Sequence, residues 1–137
     1  MSARAKARKR ALDLIFAAEA QGLAIEVVLD GQIDAGEGPT NDYTVTLVRG
    51  IADRQERLDE LISSYAQGWT LDRMPAVDRN VLRLGIYEVL FVDDVPDAVA
   101  VSESVNLVRE LSTDESPTFV NGILAHVVRD KDELTGA

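Results

Sequence analysis

Val81-Leu82-Arg83-Leu84-Gly85-Ile86-Tyr87-Glu88-Val89-Leu90 decides the fold of this 137-residue chain. Wound as a helix, this stretch is apolar on nearly every side, with Phe91 extending it. A helix of that kind must be surrounded by other helices. Elsewhere there are no alternating, β-branched runs bounded by hairpin turns, so the sequence predicts an all-α protein.

Working outward, Pro75 opens the central helix and Asp93 to Pro96 breaks it, which predicts a helix over about 75–92. Downstream, Ser102 is read as the N-cap of a helix carrying Val105, Leu107, Val108 and Leu111. A serine hydroxyl there can accept from an otherwise unpaired backbone N–H. Ser116-Pro117 marks a further start, since proline suits the first helical position. That last helix carries Phe119, Val120, Ile123, Leu124, Val127 and Val128, and is expected to fray near Lys131.

Upstream, a helix is predicted from Ala3 to Gln21, with Ala11, Leu12, Ile15, Phe16 and Glu19 on one face. Gly22 ends it, because glycine tolerates the left-handed conformation of many helix stops. A short helix over 25–33 follows, then a loop containing Gly36, Gly38 and Pro39. A long helix over 42–67 has Tyr43, Leu47, Ile51, Leu58, Ile62 and Tyr65 along its apolar stripe. Gly68 stops it, and Trp69 beside the stop is read as a core anchor. The expectation is one domain, 1–137, made of two packed helical subdomains of about 1–69 and 70–137.

The charged fraction of 28% and apolar fraction of 46% are ordinary for a soluble domain. No run of about 18 apolar residues could cross a membrane. Asp13 and Glu19 interrupt the region where a signal peptide would be apolar. With no cysteine, disulfides and thiolate metal sites are excluded. A cytoplasmic location is expected. The net charge of −10 argues against nucleic acid until its distribution is considered. The first ten residues hold Arg4, Lys6, Arg8, Lys9 and Arg10 with no acid, while the rest carries nine basic and 24 acidic side chains. This asymmetry points to a basic arm that meets a polyanion. A solvated helix face is the alternative reading of the same residues.

Catalysis finds little support. The single histidine, His126, lies between Ala125 and Val127 on the last helix, no serine sits in a nucleophile elbow, and no phosphate-binding glycine loop is present. Asp30, Gln32 and Asp34 fail as a calcium loop, because Ala35 replaces the required glycine and Asn41 the bidentate glutamate. No metal or cofactor is implied. Arg83, Glu88 and Glu103 are charges on apolar faces, and burial is costly unless they pair, so they are expected to pair with each other and fix helix register. Asn121 is a further polar residue, within the last helix. Asp78 and Arg79, near a helix start, are read as exposed and as candidates for a partner surface. On that reading Asp78→Arg would weaken partner binding with little loss of stability. Arg4 and Arg8 share one helix face and Lys6 and Arg10 form a second pair, a spacing that can grip successive phosphates of a short single strand.

In order and at their spacings, several segments resemble the NusB family. They are Ala7-Arg8-Lys9-Arg10-Ala11 leading to Phe16, Trp69 to Arg83, Tyr87-Glu88-Val89-Leu90, Val95-Pro96, Val101-Ser102-Glu103-Ser104-Val105, Leu111-Ser112-Thr113 and Phe119-Val120-Asn121-Gly122-Ile123-Leu124. The resemblance covers nearly the whole chain. It implies an all-helical fold of two three-helix bundles. It implies binding of boxA RNA in ribosomal RNA leader transcripts together with NusE, the ribosomal protein that doubles as a transcription factor. Such a complex helps RNA polymerase resist termination. Carried over by position, Arg4, Lys6, Arg8 and Arg10 would face RNA, with the loop around Asp114 and Glu115 nearby. Phe16 and Asp78, with Arg79 beside it, would face the protein partner. Ser102 stands where the family commonly has Asn, and Arg109 where Lys is usual. The same module occurs at the front of certain ribosomal RNA cytosine methyltransferases, but no catalytic domain is expected to follow and no cysteine nucleophile exists. A protein-only helical adaptor is the remaining alternative.

Overall fold

The computed structural model describes residues 2–136, and among them there is no strand. Seven helices follow in order: α1 (Ala3–Gln21), α2 (Ile25–Asp34), α3 (Asp42–Tyr65), α4 (Ala76–Phe91), α5 (Asp97–Leu111), α6 (Ser116–Arg129) and α7 (Lys131–Thr135). A single 3-10 turn, Leu71–Arg73, precedes α4. No helix among the described residues is long and apolar enough to cross a membrane. The chain divides into two compact units, one ending at Gln55 and one beginning at Glu56, so the division falls inside α3.

In the first unit, α1 stops at Gly22, whose φ of +67° is the left-handed conformation expected there. Its N–H returns to the carbonyls of Ala18 and Glu19. Ala7, Ala11, Leu12, Leu14, Ile15 and Ala18 are buried on α1, with Ile25 and Leu29 from α2 and Leu47, Val48 and Ile51 from α3. Phe16 on α1 is exposed.

In the second unit α4 is buried from Asn80 to Leu90 without interruption, as its all-round apolarity predicted. It packs against α5 and α6, which also pack on each other. The crossing is close because of Gly85. A Cβ placed there would lie 2.6 Å from Ser104 Oγ and 3.0 Å from Leu124 Cδ1. Ser104 Oγ is itself buried without a hydrogen-bond partner. Gly85→Ala is therefore expected to cost about 1–2 kcal/mol, overpacking outweighing the helical advantage of alanine. Ser104→Ala should be neutral or mildly stabilising, and in combination should recover most of the loss. Chemical denaturation of both single variants and the double variant checks this. Simple additivity would show that the two residues do not compete for the same space.

Two local expectations are corrected. Ser102 is not an N-cap: α5 begins five residues earlier, behind Pro96, and the Ser102 hydroxyl donates to Val99 O at 3.3 Å. Pro96 at the cap, with φ −59°, and Asp97 in the first turn supply the start instead. Asn121 is exposed on α6. Beyond Arg129 the chain forms the extra short helix α7 where fraying was expected. Asp130 lies at this junction and accepts a hydrogen bond from Tyr65 Oη at 2.7 Å. Arg129 and Tyr65, both donating to Asp130, hold its carboxyl at about 2, below the usual carboxylate range. Burial first, and the Asp130 bond second, push the Tyr65 hydroxyl up to about 12.

The buried arginine of α4 has an acid on α3 that the sequence reading did not include. Arg83 Nε and Nη2 donate to Asp59 Oδ1 and Oδ2 at 2.7 and 3.1 Å, a two-point grip on α3. Its Nη1 donates to Asn80 Oδ1 at 2.7 Å. Glu88 is fully buried and Glu103 half-buried.

Candidate nucleic-acid interface

The basic arm is the first half of α1. Ser2 caps it, its hydroxyl accepting from Ala5 N–H at 3.1 Å. The first turn contains no acid and is basic instead. That arrangement runs against the helix dipole, which disfavours each exposed cation at an N-terminus by roughly 0.3–1 kcal/mol.

Asn41 and Thr44, from the loop before α3 and its first turn, tie the arm down. Asn41 Nδ2 donates to Ala3 O at 3.2 Å and Asn41 Oδ1 accepts from Tyr43 N–H at 2.9 Å, so one amide caps α3 and grips α1. Thr44 Oγ1 donates to Ala7 O at 3.0 Å. The two cation pairs separate around this anchor. Arg4 lies over the Tyr43 ring at 4.2 Å from its centre, with Arg8 5.9 Å from the same centre. Lys6 and Arg10 instead line a groove of about 550 Å³ against Gly38, Pro39, Thr40 and Asn41. The Arg10 guanidinium donates to Gln32 Oε1 and, at 3.3 Å, to Glu37 O.

Arg8 was expected on an open phosphate-binding face. It is only 3% exposed, because its side of α1 turns toward α3. Of the four expected residues, Lys6 is exposed, Arg4 and Arg10 are half-buried and Arg8 is buried. Tyr43 was read only as part of an apolar stripe. Sequence reasoning missed its place among the arginines, since that contact spans nearly 40 positions. Asn41 before Asp42 was a legible N-cap signal that went unused.

The expected partner residues differ more. Phe16 is 42% exposed on α1. Asp78 is 2% exposed, not a surface charge. Its Oδ1 accepts from Ser112 Oγ at 2.6 Å and its Oδ2 from Ser116 Oγ at 2.8 Å. Helical phase explains the error: the third residue of α4 points inward, toward the α5–α6 connection. Arg79 is half-buried, and its Nη1 donates to Leu71 O at 2.7 Å and Met74 O at 3.1 Å, bracing the turn before α4.

Trp69, expected in the core, is half exposed and meets Phe119 edge-on, ring centres 6.3 Å apart. The two rings flank a groove of about 480 Å³, also lined by Met74, Pro75, Thr113 and Glu115.

Residues 5–129 match the NusB family. The transcription antitermination protein NusB of Nocardioides sp. is 66% identical over 134 residues, covering 98% of this chain and 99% of that protein. Among solved structures, NusB of T. maritima superposes with a TM-score of 0.84 at 30% identity, covering 100% of this chain and 99% of that one. The fold is also that of a NusB solved with NusE and double-stranded RNA, TM-score 0.78 at 24% identity, over 92% of this chain and 96% of that one. By the extent of these matches, the chain belongs to the NusB family.

Proposed function

We propose that this protein is a cytoplasmic transcription antitermination factor that binds boxA-type single-stranded RNA of ribosomal RNA leaders together with the ribosomal protein NusE. In that complex it helps RNA polymerase resist termination. The observation that carries the reading is the basic arm of α1, five cations in ten residues on a chain of net charge −10. The relatives named as NusB antitermination proteins, and the related fold solved with NusE and RNA, support it.

Lys6 and Arg10 beside the groove, with Arg4 on its aromatic platform, form the RNA contact. Arg8 serves from beneath by holding Tyr43 and the arm in place. Phe16, a large exposed aromatic on α1, contributes to the NusE surface. Arg79 supports the turn before α4. The acidic remainder repels RNA elsewhere and confines it to the arm. The role is one of binding rather than catalysis.

The variant that tests this is Arg4→Ala with Lys6→Ala, since neither removes a buried side chain. Each phosphate contact on a single strand adds about −0.7 to the slope of log affinity against log salt. Losing two contacts should flatten the slope by roughly 1.4 and weaken binding at low salt. The measurement is titration of a boxA oligonucleotide, NusE present, at several salt concentrations. An unchanged slope moves the RNA site away from the arm. No RNA binding by the parent chain with NusE leaves a protein-only adaptor.

A further inference from the structure

Lys6 and Arg10 stand one turn apart on α1 and line the groove against Gly38, Pro39, Thr40 and Asn41. Neither cation forms an ion pair among the described residues, although Asp34, Glu37 and Asp42 lie along the loop that follows α2. What holds Arg10 is neutral. Its guanidinium donates to the side-chain amide oxygen of Gln32, near the end of α2, and to the backbone carbonyl of Glu37. The Glu37 carboxylate takes no part. The loop rests on the same helix end, since a Cβ at Gly38 would lie 2.7 Å from Ile33 Cγ1 and 3.1 Å from Ile33 Cα. Neutral acceptors satisfy a guanidinium's directional bonds but leave its charge for another partner; a carboxylate would cancel it. They also settle in advance the rotamer freedom that a long arginine would lose on binding.

We propose that Gln32 is a positioning residue for RNA. With the Glu37 carbonyl it holds the Arg10 guanidinium at this groove uncancelled, as a preformed site, shared with Lys6, for one backbone phosphate of the strand. This role rests on the RNA-binding reading above and extends the site beyond the basic arm to α2 and the loop after it.

Hold and charge are separable at position 32. Glutamate keeps the length, the shape and the grip on Arg10 but cancels its charge, whereas alanine releases the grip and keeps the charge. Ala35→Glu, at an exposed position outside the groove lining, adds the same charge nearby as a control. The full chain with NusE is titrated with a single-stranded boxA oligoribonucleotide at several salt concentrations. Circular dichroism establishes the fold, with thermal midpoints expected within about 2 °C of the parent. Gln32→Glu should weaken binding roughly tenfold at low salt, the scale of one lost bond to a charged group. It should also flatten the slope of log affinity against log salt by about 0.7, one phosphate contact. Gln32→Ala should weaken binding about threefold at an unchanged slope, because the cation still reaches the phosphate but is no longer held. Ala35→Glu should keep the parent slope.

A purely structural clamp gives a different pattern: Gln32→Glu exchanges a neutral bond for an ion pair and leaves RNA binding untouched. That result overturns the proposal. So does equal flattening in Gln32→Glu and Ala35→Glu, which would make the effect one of overall charge, and so does parental affinity in Gln32→Ala. Inorganic phosphate titrated calorimetrically onto the chain alone separates a strand phosphate from a free ion. No saturable binding is expected; saturable binding that Gln32→Glu abolishes, with RNA affinity unchanged, would make the groove a site for the free ion instead. Should the parent bind no RNA with NusE, the functional reading fails and the strand-phosphate site with it. A parent that binds RNA while Gln32→Glu matches it removes only the role of Gln32.

Discussion

Asp78→Arg is expected to destabilise the chain by more than about 4 kcal/mol, a range reached when a charge is buried without a partner. The site is 2% exposed, so the longer side chain must leave the carboxylate's place among the serines and thrust its charge between the apolar walls of the Trp69–Phe119 groove. Ser112 and Ser116 lose their common acceptor in the same step. For a chain of this size, roughly 3–4 °C of thermal midpoint follows each kcal/mol, so the midpoint should fall by more than about 12 °C. Thermal unfolding followed by circular dichroism checks the prediction. A folded variant with an unchanged midpoint would place residue 78 at the surface after all. Loss of partner binding in this variant would therefore report unfolding, not the loss of a contact.

Arg83→Ala should cost about 3 kcal/mol, the lower end for breaking a buried ion pair by removing one member. The Arg83 side chain is 7% exposed while Asp59 is 26% exposed, so water screens the remaining carboxylate in part. Asn80 Oδ1 also loses a donor. Asp59→Ala removes the two-point grip on the less accessible guanidinium and should cost a similar amount. The double variant should cost less than the sum, because the second substitution removes the charge stranded by the first. Urea denaturation of all four proteins measures the coupling. Strict additivity would mean that the two-point grip contributes nothing beyond packing.

These predictions depend on contacts between positions distant in sequence, and that is where the sequence and the folded molecule divide the information. The all-helical class was legible because helical periodicity and glycine or proline punctuation are local. α1 lies at Ala3–Gln21 as predicted, Gly22 ends it with positive φ, and α4 is buried on every side. The N-terminal concentration of cations was equally plain. Only the tertiary structure decided which polar residues face inward and which aromatic residues face outward. Asp78 is buried because serines 34 and 38 positions later supply hydroxyls. Arg83 finds its acid 24 positions earlier, on α3. Arg8 is covered on the side of α1 that Thr44, 37 positions beyond Ala7, helps to anchor. Trp69 stays half exposed although its place beside a helix stop suggested a core anchor. Local pattern sets a residue's helix and its phase. Whether that phase meets water, a carboxylate or another helix is fixed only when the chain closes on itself.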